Sequence, residues 1–366
     1  MRILSIETSC DETSVAVVEK IDDLNVQVLS HVTATSLSLH AKSGGVIPEN
    51  AARMQVEYII PTINSALQKA SYNSNPLDFL KHQIDAIAVT YGPGLIGSLL
   101  VGVETAKTLS FALQKPLIPV NHLLGHIYAN FITNESSPFT LSPFPFIGLI
   151  VSGGHTDLLY FKNHNDYKWL GGTRDDAAGE CFDKCARLLG YSYPGGPKIS
   201  ELAISGNPKN VLLPKLMVGS DLDFSFSGLK TAFVNFVKKE FETSNSQKNQ
   251  GYTWMEANIN NLSTDKLQLV YDLCASLEYT IVEVLVRKTL MAANMYNVEN
   301  ILLGGGVSAN TLLTKTFRTN SNNKKIFVPE KEFTTDNGAM IGAYAALNPS
   351  PVELGLVIAN PGLYFA

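Results

Sequence analysis

Phe146-Ile-Gly-Leu-Ile-Val-Ser-Gly-Gly-His-Thr-Asp-Leu-Leu-Tyr-Phe161 decides the fold, because it begins the chain a second time. Phe146–Val151 is a continuous apolar run and predicts a buried strand, Ser152–Thr156 a polar turn, and Asp157–Phe161 a returning strand. The same unit stands at the start. Ile3–Glu7 is a strand, Thr8–Thr13 a turn rich in hydroxyls and carboxylates, and Ser14–Glu19 a second strand, with Val26–Thr35 continuing the sheet. The elements after each hairpin repeat as well. In the first half come a Gly-rich loop over 40–49, a helix over about 49–70, a strand at 85–90, the turn Tyr91-Gly-Pro-Gly94, a helix over about 97–114 and a strand at 116–120. In the second half, Asn300–Leu303 is a strand, Gly304–Asn310 a Gly-rich turn, about 310–318 a helix and Lys325–Val328 a strand, and Thr334–Gly338 opens a helix through about 347. Shared element order at this length is an internal duplication.

The expected organisation is α/β, with two copies of one lobe. The first lobe takes 1–138 and the second 139–340, with a mostly helical insertion at about 176–296. Residues 341–366 form a C-terminal helix and tail that packs back on the first lobe. The Ser- and Pro-rich stretch 134–145 marks the boundary, and 242–264, rich in Asn, Ser, Thr and Gln, reads as a surface insertion. With 45% hydrophobic and 17% charged residues, the chain has ample material for a core. A formal net charge of -5 is no footprint of a self-sufficient nucleic-acid binder. The four cysteines form no CxxC pair, and Cys181 and Cys185 read as core thiols. No signal peptide and no run of membrane-spanning length is expected, so the reading is a cytoplasmic protein with no membrane partner.

Asn121-His-Leu-Leu-Gly-His126 follows the strand at 116–120. His122 and His126, four apart, share a helix face, which suits a metal site or a polar lining of the helix. The duplication supplies a partner. The loop equivalent to this one in the second half carries Asp336, and a pseudo-two-fold would turn both loops to one cleft. Two His and one carboxylate form a facial triad with open positions. The competing reading of Asp336 is a helix N-cap. Ser152-Gly-Gly-His-Thr156 has the form of a phosphate-binding turn or of an ordinary one. Gly304-Gly-Gly306 could clamp a base or sugar, but it is neither a P-loop nor a dinucleotide fingerprint. Asp176, Glu180 and Asp183 are expected on one helix face, either solvated or accepting ribose hydroxyls. Tyr193-Pro-Gly-Gly-Pro197 is a rigid turn.

These stretches, with Ile6-Glu-Thr-Ser-Cys-Asp-Glu-Thr13, His40 through Gln55 and Asp223 through Lys230, span nearly the whole chain in order. Together they resemble the TsaD family (also called YgjD or Gcp) of tRNA N6-adenosine threonylcarbamoyltransferases, and the bacterial branch fits best. The resemblance implies an actin-like ATPase (ASKHA) fold of two ribonuclease H-like lobes. It implies transfer of threonylcarbamoyl from threonylcarbamoyl-adenylate to the exocyclic amine of the adenosine beside the anticodon in tRNAs reading ANN codons, with release of AMP. It also implies one divalent metal ion, iron in preference to zinc, on His122, His126 and Asp336. Adenylate contacts are implied for Ile150, Val151, Ser152, Gly153, Gly154, Asp183, Gly196 and Asn310. A catalytic or ordering role is implied for Asp11 and Glu12. Implied partners are tRNA, a TsaB-like paralogue and a TsaE-like ATPase, or a second copy in a homodimer. Three positions depart from the pattern: Gln55 replaces its last His, Ser43 a frequent aromatic and Leu124 a frequent Glu. Leu123 stands where a zincin would place its general base, which disfavours a metalloprotease. A small-molecule kinase or ATPase and a non-catalytic module are the other competitors. Lys230, Lys238, Lys239, Arg287, Lys288, Lys324 and Lys325 are candidates for a local tRNA-binding patch or a solvated face.

Overall fold

The structure, a computed structural model, describes residues 1–36, 45–133, 143–214, 216, 219–241, 262–321 and 323–365. The readings that fall on 40–44 (Ser43 among them), on most of the boundary loop and on most of the polar insertion lie outside them. Eleven strands form two sheets among the described residues. The first holds β1 (Arg2–Glu7), β2 (Glu12–Lys20), β3 (Val26–Thr35), β4 (Ala86–Gly92), β5 (Leu117–Asn121) and the short β6 (Ile132–Thr133), in the order β5-β4-β1-β2-β3-β6. The second holds β7 (Phe146–Val151), β8 (Thr156–Asn163), β9 (Asp166–Gly172), β10 (Asn300–Gly304) and β11 (Lys325–Phe327), in the order β11-β10-β7-β8-β9. The two orders superpose. In each sheet an antiparallel three-strand meander continues into two parallel strands, which is the duplicated ribonuclease H-like lobe of the actin-like ATPase fold. β9 carries polar residues on an edge, and no apolar run announced it.

The helices are α1 (Pro48–Ser71), α2 (Pro76–Gln83), α3 (Ile96–Leu113), α4 (His122–Tyr128), α5 (Ala178–Leu188), α6 (Gly196–Ala203), α7 (Ser227–Phe241), α8 (Thr264–Met295), α9 (Thr311–Asn320) and α10 (Gly338–Leu347). They make layers with the sheets, because β1 is buried on both faces and alternate residues must enter different cores. Leu4 and Ile6 meet Ile59, Ile63 and Leu67 of α1 and Val103 and Ala106 of α3 on the outer side. Ile3, with Ala16 and Val18 of β2, faces inward to a core shared with Leu123 and Ile127 of α4, Ile341 of α10, and Ile150, Leu159 and Leu302 of the second sheet. α4 and α10 are therefore sandwiched between the two sheets. α5 to α9 cover the outer side of the second sheet.

α10 touches the first sheet closely. A Cβ on Gly342 would lie 2.7 Å from a Val18 methyl, and one on Gly338 2.8 Å from the Ala16 nitrogen. α10 begins at Gly338, so the boundary at 340/341 falls inside it. Beyond it the tail returns along the first lobe, where Val352 N–H donates to Leu117 O (2.9 Å) and Asn360 N–H to Tyr91 O (2.7 Å), before the Tyr364 hydroxyl reaches Asp157 of the second. Contrary to the sequence expectation, α3 is long and apolar enough by composition to cross a membrane. It lies against α1 and the outer core, with Leu99, Val103 and Ala106 buried.

Candidate metal centre and adjoining turn

β1, β4 and β5 run parallel, and their carboxyl ends meet at one edge of the first lobe. Asn121 ends β5 and caps α4, accepting from Leu123 N–H at 2.9 Å. This cap fixes His122 as the first helical residue and places His126 one turn on, and the two rings stand 4.6 Å apart at 78°. From the other lobe comes Asp336. It is not the cap of α10: Asn337 holds that position and accepts from Met340 N–H at 2.8 Å. Asp336 is left to project toward the histidines, its Oδ1 lying 3.4 Å from His122 Nε2 and 3.2 Å from His126 Nε2. One donor atom from each of the three residues falls within 4.8 Å of the others.

Among the described residues, neither ring nitrogen of the fully buried His126 has a hydrogen-bond partner. A buried unpaired nitrogen is costly, so its pointing at a carboxylate and a second imidazole fits a cation between them. The three residues can hold a metal ion. Asp336, its side chain 27% exposed, marks the side open to a further ligand. Without a cation the charges settle differently. Burial would lower the His122 pKa, but Asp336 and Glu7 outweigh it and raise it to about 9. Burial also opposes ionisation of Asp336, yet His122 and His126 hold it well below the usual carboxylate range. His126 is pushed down, chiefly by burial.

The β1–β2 tip carries Asp11 and Glu12 beside this centre. It is braced on three sides: Ser36 Oγ donates to Asp11 O (2.7 Å), Ser98 Oγ to Cys10 O (3.0 Å), and Gln55 Nε2 to Cys10 O and Glu12 O (3.0 Å each). Gln55, a departure from the family pattern, is thus a clamp on the tip. Burial first, then the charges of Asp336, Asp11 and Glu7, raise the Glu12 pKa to about 8.

In the second lobe, Ser152 and His155 close the turn between β7 and β8, with Ser152 N–H donating to His155 O (2.9 Å) and His155 N–H to Ser152 Oγ (3.2 Å). Among the described residues, a Cβ on Gly153 or Gly154 would meet nothing within 4 Å, so no described protein atom demands these glycines. The side chains of Ile150 and Val151 enter two different cores, which leaves only their backbone for a ligand. Gly304-Gly-Gly306 is different. A Cβ on Gly304 would lie 2.6 Å from His126 O, and one on Gly305, at φ 90°, 2.4 Å from Val151 O. Those two glycines let the turn pack between α4 and β7, and packing rather than a base or sugar explains them.

Asp183, Gly196 and Asn310 have internal tasks as well. Asp183 Oδ1 accepts from Gly195 N–H (2.7 Å) and Gly196 N–H (3.2 Å), holding the Pro-Gly-Gly-Pro turn against α5. Asn310 caps α9 through Leu313 N–H (2.8 Å) and donates to Glu278 Oε1 (2.7 Å) and Ser200 Oγ (3.0 Å). Asp176 does not share the helix face of Asp183: α5 starts at Ala178, and Asp176 in the preceding turn pairs with Lys184 and Lys230 at 2.7 Å. The basic candidates are largely spent internally. Lys230 is paired with Asp176, Lys288 is fully buried against Asp221 (2.8 Å), Lys324 Nζ donates to Val298 O (2.9 Å), and Arg287 pairs with Glu283. The sequence does not mark Glu7, Gln55 and Glu278 as supports of the site. Glu7 had one legible signal, a carboxylate ending an apolar strand.

The family profile described as TsaD, tRNA N6-adenosine threonylcarbamoyltransferase, matches residues 27–343. The chain belongs to this family. The tRNA N6-adenosine threonylcarbamoyltransferase of Moorella thermoacetica is 43% identical over 346 residues, covering 94% of this chain and 90% of its own. That of Endomicrobium trichonymphae is 45% identical over 348 residues, with 94% and 92% covered. Among solved structures, T. kodakarensis HypF aligns with 95% of this chain and 47% of its own, at TM-score 0.57 and 15% identity, a likeness of fold. As a TsaD-family enzyme the chain is a transferase that modifies tRNA adenosine at N6.

Proposed function

We propose that the donor is threonylcarbamoyl-adenylate, bound across the cleft between His122, His126 and Asp336 on one side and the Ser152–Thr156 turn on the other. The acceptor is the exocyclic amine of the adenosine next to the anticodon in tRNAs reading ANN codons, and AMP leaves. The observation that carries this reading is the juxtaposition of an unpaired buried His126 with the facing Asp336. The two-His, one-carboxylate set favours Fe2+, with Zn2+ as the other candidate. When bound, such an ion supplies Lewis-acid polarisation of a donor oxygen.

The donor is already activated, so the chain itself needs to orient, neutralise charge and exclude water. Gly153 and Gly154 let the donor's phosphate approach the backbone of the turn, with Ile150 to Ser152 continuing the contact. Asp183, Gly196 and Asn310 shape the nucleoside side, Asn310 only after exchanging one of its present partners. Asp11 and Glu12 order the reacting end. Glu12, at the tip beside the proposed ion, is in place to exchange a hydrogen bond with a substrate oxygen or with the incoming amine.

The acidic chain shares tRNA capture with partners in the cytoplasm, a TsaB-like paralogue with a TsaE-like ATPase, or a second copy of itself. The supporting surface is on α1 and α3, which touch at Ala52 and Gly97 and leave Val56, Ile60, Ile96, Leu100 and Phe111 exposed. The decisive assay supplies synthetic threonylcarbamoyl-adenylate and tRNA, with and without chelator and partners. We expect Asp336→Ala and chelation each to lower the rate at least about 100-fold. Full activity of Asp336→Ala at ordinary metal levels would sink the assignment.

A further inference from the structure

Glu7 lies at the end of β1 with 1% of its surface exposed, and three donors converge on it. Ser9 N–H donates to Oε1 (2.6 Å), the Thr90 hydroxyl donates to Oε2, and His122 Nδ1 lies 3.1 Å from Oε2. With Ser9 N–H and the Thr90 hydroxyl donating to its two oxygens, the Glu7 carboxylate meets its third neighbour as an acceptor. The Nδ1 contact is then attractive only if Nδ1 carries the hydrogen. Ser9 Oγ, 3.2 Å from the same nitrogen, can accept from it as well. With Nδ1 protonated, the neutral imidazole has its lone pair on Nε2, the atom facing Asp336. Among the described residues His126 has no such support, since its Nδ1 has no hydrogen-bond partner there.

We propose that Glu7, held by Thr90 and Ser9, is a positioning residue that selects the Nδ1–H tautomer of His122 and aims its Nε2 at the metal. Glu7 does not touch the ion or the substrate. Its effect passes through one imidazole, as outer-shell carboxylates act on metal-bound histidines generally. This rests on His122, His126 and Asp336 being metal ligands.

The test titrates Zn2+ and Co2+ alone into the full-length metal-free protein and reads affinity by competition with a chromophoric chelator. Glu7→Gln is expected to weaken binding about 10–100-fold while the metal-free protein stays folded, with the circular dichroism spectrum of wild type. In a His122→Ala background the same substitution is expected to cost nothing further. Wild-type affinity in Glu7→Gln overturns the proposal. So does an equal loss with His122 absent, which would make Glu7 a distant charge. Should Glu7→Gln fail to fold, Thr90→Val is expected to give a smaller loss that again vanishes without His122, and unchanged affinity there overturns the proposal. If wild type binds neither ion, the ligand assignment itself falls and Glu7's role with it.

Discussion

Glu12 retains a proton well above the pH at which a free glutamate gives it up. Its pKa moves from 4.5 to about 8 because burial and the charges of Asp336, Asp11 and Glu7 disfavour the carboxylate. The unfolded chain releases this proton near pH 4.5, the folded metal-free chain only near pH 8. Between those values the folded state binds the extra proton. Its contribution to stability is thus fully present below pH 4.5 and is lost as pH rises through 8. Glu12→Gln removes the group. Its melting temperature minus that of wild type, measured on chelated protein, should climb from pH 5 to pH 8 and then level; a flat difference would refute the assignment. The sequence nominates His122, His126 and Asp336 together, since two are one helical turn apart and the repeat points to the third, and the structure brings one donor atom of each within 4.8 Å of the others. The sequence hides Glu7 and Gln55, whose partners lie 115 and 43 to 47 positions away and become neighbours only when strands and helices pack.

Two Gly-rich turns look alike as strings of letters and differ as parts of the fold. Gly304 and Gly305 are small because backbone oxygens of His126 and Val151 lie where a Cβ would go, and Gly305 has φ 90° besides. Gly153 and Gly154 are small with no described atom within 4 Å of where a Cβ would go. Gly305→Ala should therefore cost at least about 1–3 kcal/mol in denaturant unfolding, through overpacking and a strained backbone. Gly153→Ala should stay within about 0.5 kcal/mol of wild type in the same experiment, yet raise the KM for threonylcarbamoyl-adenylate about tenfold or more. An unfolding penalty for Gly153→Ala without a change in KM would reverse the roles. Element order was legible because apolar runs and glycine turns alternate twice. α2 and β9 were not, being short, polar and peripheral. The acidic stretch differs from its helical spacing for a related reason: the helix starts two residues after Asp176, which stabilises the preceding turn by pairing with lysines.

Over the whole molecule, the first lobe turns an apolar stripe outward while the second covers its sheet with α5 to α9. Ile60→Glu with Leu100→Glu should leave the metal-free protein folded and dissociate it from its partner or from itself, as sedimentation with and without a TsaB-like protein would register. Unchanged association would move the interface elsewhere. The position of α10 has another consequence. The first sheet draws its strands from residues 2 to 133, but the part of its inner face around Ala16 and Val18 is covered by residues 338 to 347, more than two hundred positions later. During synthesis the first lobe must wait, with Ala16 and Val18 uncovered, until the second lobe has left the ribosome. Asp336 arrives in the same moment as the helix next to it. The proposed ion-binding triad is therefore complete on no amino-terminal fragment that stops short of Asp336, and on that proposal the completion of the fold and the gain of metal affinity become one event.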